Sequence, residues 1–140
     1  MPRNEHPIDA VWITARLEQA GMTLLALPGT GWSTRLKSSN LEIVRTAAEN
    51  YGWSPQRVRP PVPSAARVSE MDEVFGWIGL IPLERYVLRR IVGARSLVDP
   101  LTEKHLFPWR RLGAVLGADH KAVQRWHKEG IGIIQKALTA

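Results

Sequence analysis

Apolar positions along this chain recur at intervals of three and four almost throughout, and no stretch sustains the two-residue alternation of a half-buried strand. The pattern predicts an all-α fold. A first helix is expected over residues 9–27, capped by Asp9, with Trp12, Ala15, Gln19, Met22 and Ala26 on one face and Val11 and Leu25 widening it. Pro28 and Gly29 end it. Residues 28–40 read as a loop. Ser39 and Glu42 then have the spacing of a capping box, so a second helix is expected over 41–50, with Leu41, Val44 and Ala48 inward and Gly52 just past its end.

The run Arg57-Val58-Arg59-Pro60-Pro61-Val62-Pro63 cannot continue a helix, because three of its residues lack an amide hydrogen and fix φ. It marks the expected internal boundary, dividing an N-terminal helical module (1–59) from a connector (60–63) and a second helical segment (64–140). In that segment one helix is expected over 64–79, with Val68, Met71, Val74, Phe75 and Ile78 inward and Glu70, Asp72 and Glu73 in solvent. Another is expected over 83–94, with Tyr86, Val87, Arg90 and Ile91 at helical spacing.

Residues 109–128, WRRLGAVLGADHKAVQRWHK, carry the most specific pattern in the chain. They fit two short helices joined by a tight turn. Gly117 suits a left-handed turn position, and Gly113 is small where the helices must approach. Leu112, Leu116, Ala118, Val123 and Trp126 fall where such a pair shares its core, and Asp119 can cap the second helix. Burying Ala122, Val123 and Trp126 leaves His120, Lys121, Gln124, Arg125 and Lys128 outward. In a helix-turn-helix these would meet base edges, with Arg125 suited to two hydrogen bonds with guanine and Gln124 to adenine. Arg110 and Arg111 are the expected phosphate contacts, joined by Arg89, Arg90, Arg95 and Lys104.

Charge sharpens the picture. Residues 1–81 hold eight basic and eight acidic side chains, whereas residues 82–140 hold eleven and five, so the net charge of +6 resides in the segment containing the motif. A plain solvated face would also be charged, but it need not concentrate one sign. Both readings remain open on charge alone.

Two resemblances follow from these residues. Ile81-Pro82-Leu83-Glu84-Arg85-Tyr86-Val87-Leu88 together with residues 109–138 is similar to the C-terminal, promoter-reading region 4 of bacterial sigma factors. The resemblance implies a helix ahead of the helix-turn-helix and a recognition helix that reads double-stranded DNA. Residues 95–108 depart from that family, whose connection there is a short turn. The Trp-bearing first helix, the Arg59-Pro60-Pro61-Val62-Pro63-Ser64 connector, Met71-Asp72-Glu73-Val74-Phe75-Gly76-Trp77 and the terminal motif together look like a small uncharacterised family of alphaproteobacteria and their phages.

Several function classes recede. No cysteine is present, so disulfides and thiolate chemistry are excluded. His6, His105, His120 and His127 form no HExxH motif, and lone helical histidines are expected at the surface. Gly29-x-Gly31 follows a helix and lacks the residues of a phosphate loop. No catalytic triad, metal site or cofactor motif is expected, and the chain reads as non-enzymatic. There is no signal-peptide pattern and no run of roughly 18 apolar residues, so a cytoplasmic protein without membrane contact is expected. Of the six tryptophans, Trp12, Trp77, Trp109 and Trp126 are expected in the core, while Trp32 and Trp53 flank loops and are candidates for partner contact.

The leading expectation is a small transcriptional regulator that binds DNA as a homo-oligomer, with a dimer favoured. A DNA-packaging component resembling the small terminase subunit and a protein docking on RNA polymerase or a sigma factor are the alternatives.

Overall fold

The computed structural model describes residues 7–28 and 60–140; the helix expected over 41–50, Trp32 and Trp53 lie outside them. Among the described residues five α-helices follow in order: α1 (Ala10–Ala26), α2 (Ala65–Gly76), α3 (Tyr86–Ser96), α4 (Trp109–Leu116) and α5 (His120–Thr139). Two 3-10 turns, Trp77–Leu80 and Leu83–Arg85, separate α2 from α3. Among the described residues the extended pairing is limited to an isolated bridge between Val98 and His105. The fold is all-α.

Helix α1 starts where the Asp9 carboxylate accepts the Trp12 amide at 2.9 Å, and it stops as Leu27 turns extended before Pro28. Its buried stripe is only partly the expected one, Leu25 being buried as expected. Val11 is 78% exposed and Ala15 is exposed, whereas Ile13, Leu17, Ala20 and Leu24 are buried, with Trp12, Gln19, Met22 and Ala26 at the half-buried margins. The helix is apolar around most of its circumference, so its own periodicity does not choose a stripe. Packing against α2, α3 and α5 chooses it. At Gly21 a Cβ would lie 1.9 Å from the Ser96 carbonyl oxygen, so α1 can rest on the end of α3 only with glycine there.

Ser64 caps α2 by accepting the Arg67 amide at 3.2 Å, directly after the prolines. Met71, Val74, Phe75 and Ile78 are buried and Val68 partly so, as their spacing predicts. The α-helix ends earlier than expected, at Gly76, and tightens into a 3-10 turn that brings Trp77 to Trp12, with ring centroids 5.5 Å apart. That break leaves carbonyls unpaired by the α ladder, and Arg89 answers two of them: its Nε donates to Ile81 at 2.7 Å and its terminal nitrogen to Gly79 at 3.1 Å.

In α3 the inward residues are Leu88, Ile91 and Val92. Of the four residues at helical spacing, Ile91 is buried and Tyr86, Val87 and Arg90 are exposed. α-Helical winding begins only at Tyr86, after the 3-10 turn, and the surface offered to α1 and α5 is set by where that turn delivers the chain. Residues 97–108 then fold back on themselves: Asp99 donates its amide to Lys104 O at 2.8 Å, Leu106 to Leu97 O at 3.0 Å, and the Asp99 carboxylate accepts the Leu101 amide at 2.8 Å. Phe107 at its end is buried.

One buried cluster joins Ile13 and Leu17 of α1, Phe75 of α2, Ile91 of α3, Leu112 of α4 and Ile134 of α5. Each such aliphatic or aromatic side chain contributes roughly 1.5–3 kcal/mol on burial. α1 thus shares its core with the terminal helices. No helix among the described residues is long and apolar enough to cross a membrane.

Candidate nucleic-acid interface

The terminal pair is built as its two glycines require. Gly117 ends α4 with φ 69° and ψ 33°, a left-handed conformation that favours glycine, and the amide of Ala118 donates to the Gly113 carbonyl at 2.8 Å. A Cβ at Gly113 would stand 2.6 Å from the Ala118 carbonyl oxygen. That contact fixes how closely α4 can approach the turn. Asp119 then opens α5, its carboxylate accepting the Lys121 amide at 3.1 Å.

Leu112 and Val123 are buried, and Leu116, Ala118 and Trp126 pack partly buried against the same core. The result is a helix-turn-helix held by apolar contact on one side. On the other side Lys121, Gln124, Arg125 and Lys128 are exposed, and His120 is half-buried with its Nδ1 3.7 Å from the Asp119 carboxylate. Helical spacing puts Lys121, Arg125 and Lys128 together on the outer surface of α5. Gln124 and Lys128 also border a groove shared with α1.

The six expected phosphate contacts divide. Arg110 and Arg111 on α4 are exposed, as are Arg90 on α3 and Lys104 in the fold-back segment. The Arg111 guanidinium lies 5.9 Å from the Phe107 ring centroid. Arg89 is occupied with the carbonyls of the 3-10 turn. Arg95 points inward: its guanidinium donates to the Phe107 carbonyl at 3.0 Å and stacks 4.0 Å from the Trp109 ring centroid. Desolvation there lowers the Arg95 pKa from its ordinary value, with Glu18 opposing the shift.

Behind Arg95 the structure gathers a polar cluster that the sequence pattern did not single out. His105 Nδ1 donates to the Arg95 carbonyl at 3.0 Å, while its Nε2 lies 3.3 Å from a Glu18 carboxylate oxygen on α1. His127 meets the Trp109 ring edge-on at 5.2 Å between centroids. Burial first, then Arg95 and His105, push the His127 pKa down to about 4, so the imidazole is neutral near pH 7. His105 is lowered as well, by burial and by Arg95. Among the helical histidines, His127 is therefore an inward packing group and not the surface residue expected. The signal that could have found it is weak: Trp109 and His127 are eighteen positions apart and become neighbours only through the turn. Among the described residues no group of three or more His or carboxylate side chains is arranged to hold a metal ion.

No curated protein and no solved structure matches the chain. No sigma-factor region 4 or helix-turn-helix family model supports the likeness in the terminal helices. The family model that matches, over residues 26–134, is that of a domain of unknown function, DUF6362, and the chain belongs to this family.

Proposed function

We propose that this member of the DUF6362 family binds double-stranded DNA sequence-specifically through α4, the Gly117 turn and α5, as a small non-enzymatic transcriptional regulator. One observation carries the reading: Lys121, Gln124, Arg125 and Lys128 stand exposed on a helix whose opposite face and first turn are fixed by close packing. Side chains on a rigid helix can be matched to a fixed row of base edges, and guanidinium and amide groups suit guanine and adenine. The basic excess of residues 82–140 supplies the non-specific attraction such a reader needs.

In this reading Arg125 and Gln124 read bases, Lys121, Lys128 and His120 assist, and Arg110, Arg111, Arg90 and Lys104 meet phosphate. Arg89 and Arg95 act from inside by holding the segments that support α4. A dimer would place two recognition helices about one DNA turn apart, adding the affinity that one small module lacks. The sequence resemblance to a small alphaproteobacterial and phage family suggests a mobile-element setting.

The deciding experiment is selection from genomic fragments by the purified full chain at near-physiological salt, repeated with Gln124→Ala and Arg125→Ala. A recurrent motif lost in the variants is expected. No enrichment, or an unchanged motif in both variants, would overturn the reading and favour docking on another protein.

A further inference from the structure

The groove between α1 and α5 is a wide-mouthed surface depression of about 560 Å³, a size within the roughly 300–1,000 Å³ of small-molecule sites. The exposed lining is mainly apolar, with Val11 and Ala15 of α1, Trp109 of α4 and Ile131 of α5 contributing to it. Val11, 78% exposed, and exposed Ala15 are groove residues that the core leaves uncovered.

The polar side chains on the lining, Thr14, Glu18, Gln124, His127 and Lys128, are unequal. Glu18 is offset by Arg95, which is close enough to interact with its carboxylate, while the Nε2 of His105, whose pKa is lowered, lies 3.3 Å away. His127 is uncharged near pH 7 and engaged with Trp109. Lys128 makes no ion pair among the described residues, so it is the uncompensated charge of the groove, with the Gln124 amide and Thr14 hydroxyl also on its lining. An apolar trough with one free ammonium and neutral donors suits a small apolar molecule that ends in an anion.

We propose that this groove binds a small apolar carboxylate, its hydrocarbon or aromatic body between α1 and Trp109 and its carboxylate on Lys128. Resting on the DNA reading above, a second consequence follows: the ligand takes Lys128 and covers Gln124, so ligand and DNA exclude one another.

The test uses the full chain and two probes of matched shape, 4-phenylbutyrate and the neutral 4-phenylbutan-1-ol, by titration calorimetry without DNA. Saturable one-to-one binding of the acid is expected, with the alcohol and the Lys128→Gln variant each weaker by about tenfold or more. Ala15→Trp, which fills the trough from the exposed side of α1, should abolish binding while its thermal midpoint stays near that of the parent. Equal binding of acid and alcohol, unchanged binding in Ala15→Trp, or no binding of the acid at millimolar concentration would overturn the proposal. Acid binding that disappears as protein concentration rises would give the groove to a second copy and also overturn it. In a separate arm, 4-phenylbutyrate should weaken DNA binding by the parent and not by Ala15→Trp. A chain that never binds DNA would refute the proposed function, while calorimetry would still decide the ligand site.

Discussion

The two halves of α5 lie on one continuous helix yet serve opposite ends. From Gly130 to Ile134 it is enclosed, with Gly130 against Val92 and Ile81, and Ile131 and Ile134 buried in the common core. From Lys121 to Lys128 the helix turns four polar or cationic side chains to solvent and on its inward side buries Val123, with Trp126 and His127 half-buried beside it. The first region holds the helix in place, and the second is free to vary its chemistry at little cost to stability. Recognition and stability should therefore separate cleanly under mutation.

The largest effect should come from the enclosed half. Ile134→Ala should cost about 2–5 kcal/mol of stability, read by chemical denaturation, because it leaves a cavity in the shared core. In the exposed half, Arg125→Ala should change stability by less than about 0.5 kcal/mol. Its DNA affinity should fall by about 1–3 kcal/mol at one position of the cognate site, and competition binding with single-base variants checks this. Arg110→Ala should instead weaken all sequences alike and reduce the slope of binding against salt by about one. Equal behaviour of the two variants would erase the distinction between base and phosphate contacts.

A third probe acts between the halves, at His127. Its folded pKa of about 4 lies below the ordinary histidine value, so the unfolded chain takes up the proton first as pH falls. Stability is unaffected by this group above about pH 6.5 and declines below it, by about 2 kcal/mol between pH 7 and pH 5. Denaturation curves across that range check the sign, and His127→Phe should flatten the decline. The smallest effect belongs to the helix start: Asp119→Ala should cost about 1 kcal/mol by removing the acceptor of the Lys121 amide, with helix content otherwise retained in circular dichroism.

Local chemistry made parts of this molecule legible in advance. Asp9, Ser64 and Asp119 cap the helices they precede, and Gly113 and Gly117 sit where close approach and a left-handed turn demand them. Such features depend on neighbours a few residues away. The buried stripe of α1 does not, and there the pattern misled: Val11 and Ala15 read as core, yet Ile13 and Leu17 are. The same limit applies to the cations. Nothing in a string of arginines distinguishes Arg90, which is exposed, from Arg89, which closes the 3-10 turn, or Arg95, which lies on Trp109. Those roles arise from carbonyls and rings brought in by other segments. The helix expected over 41–50 and Trp32 and Trp53 lie outside the described residues.

The seating of α1 on α5 also shapes how the protein is made. Gln135 donates to the carbonyl of Ile8, 127 residues earlier, and Ile13 shares its core with Ile131 and Ile134. During synthesis at about 5–20 residues per second, the side of α1 that packs on α5 leaves the ribosome on the order of ten seconds before that partner exists, although α2 and α3 are made earlier. Through that interval the nascent chain presents the α5-facing side of α1 uncovered, and its burial waits for the turns of α5 that carry Ile131 and Ile134. Chaperone engagement should accordingly concentrate on ribosome-bound chains that lack α5.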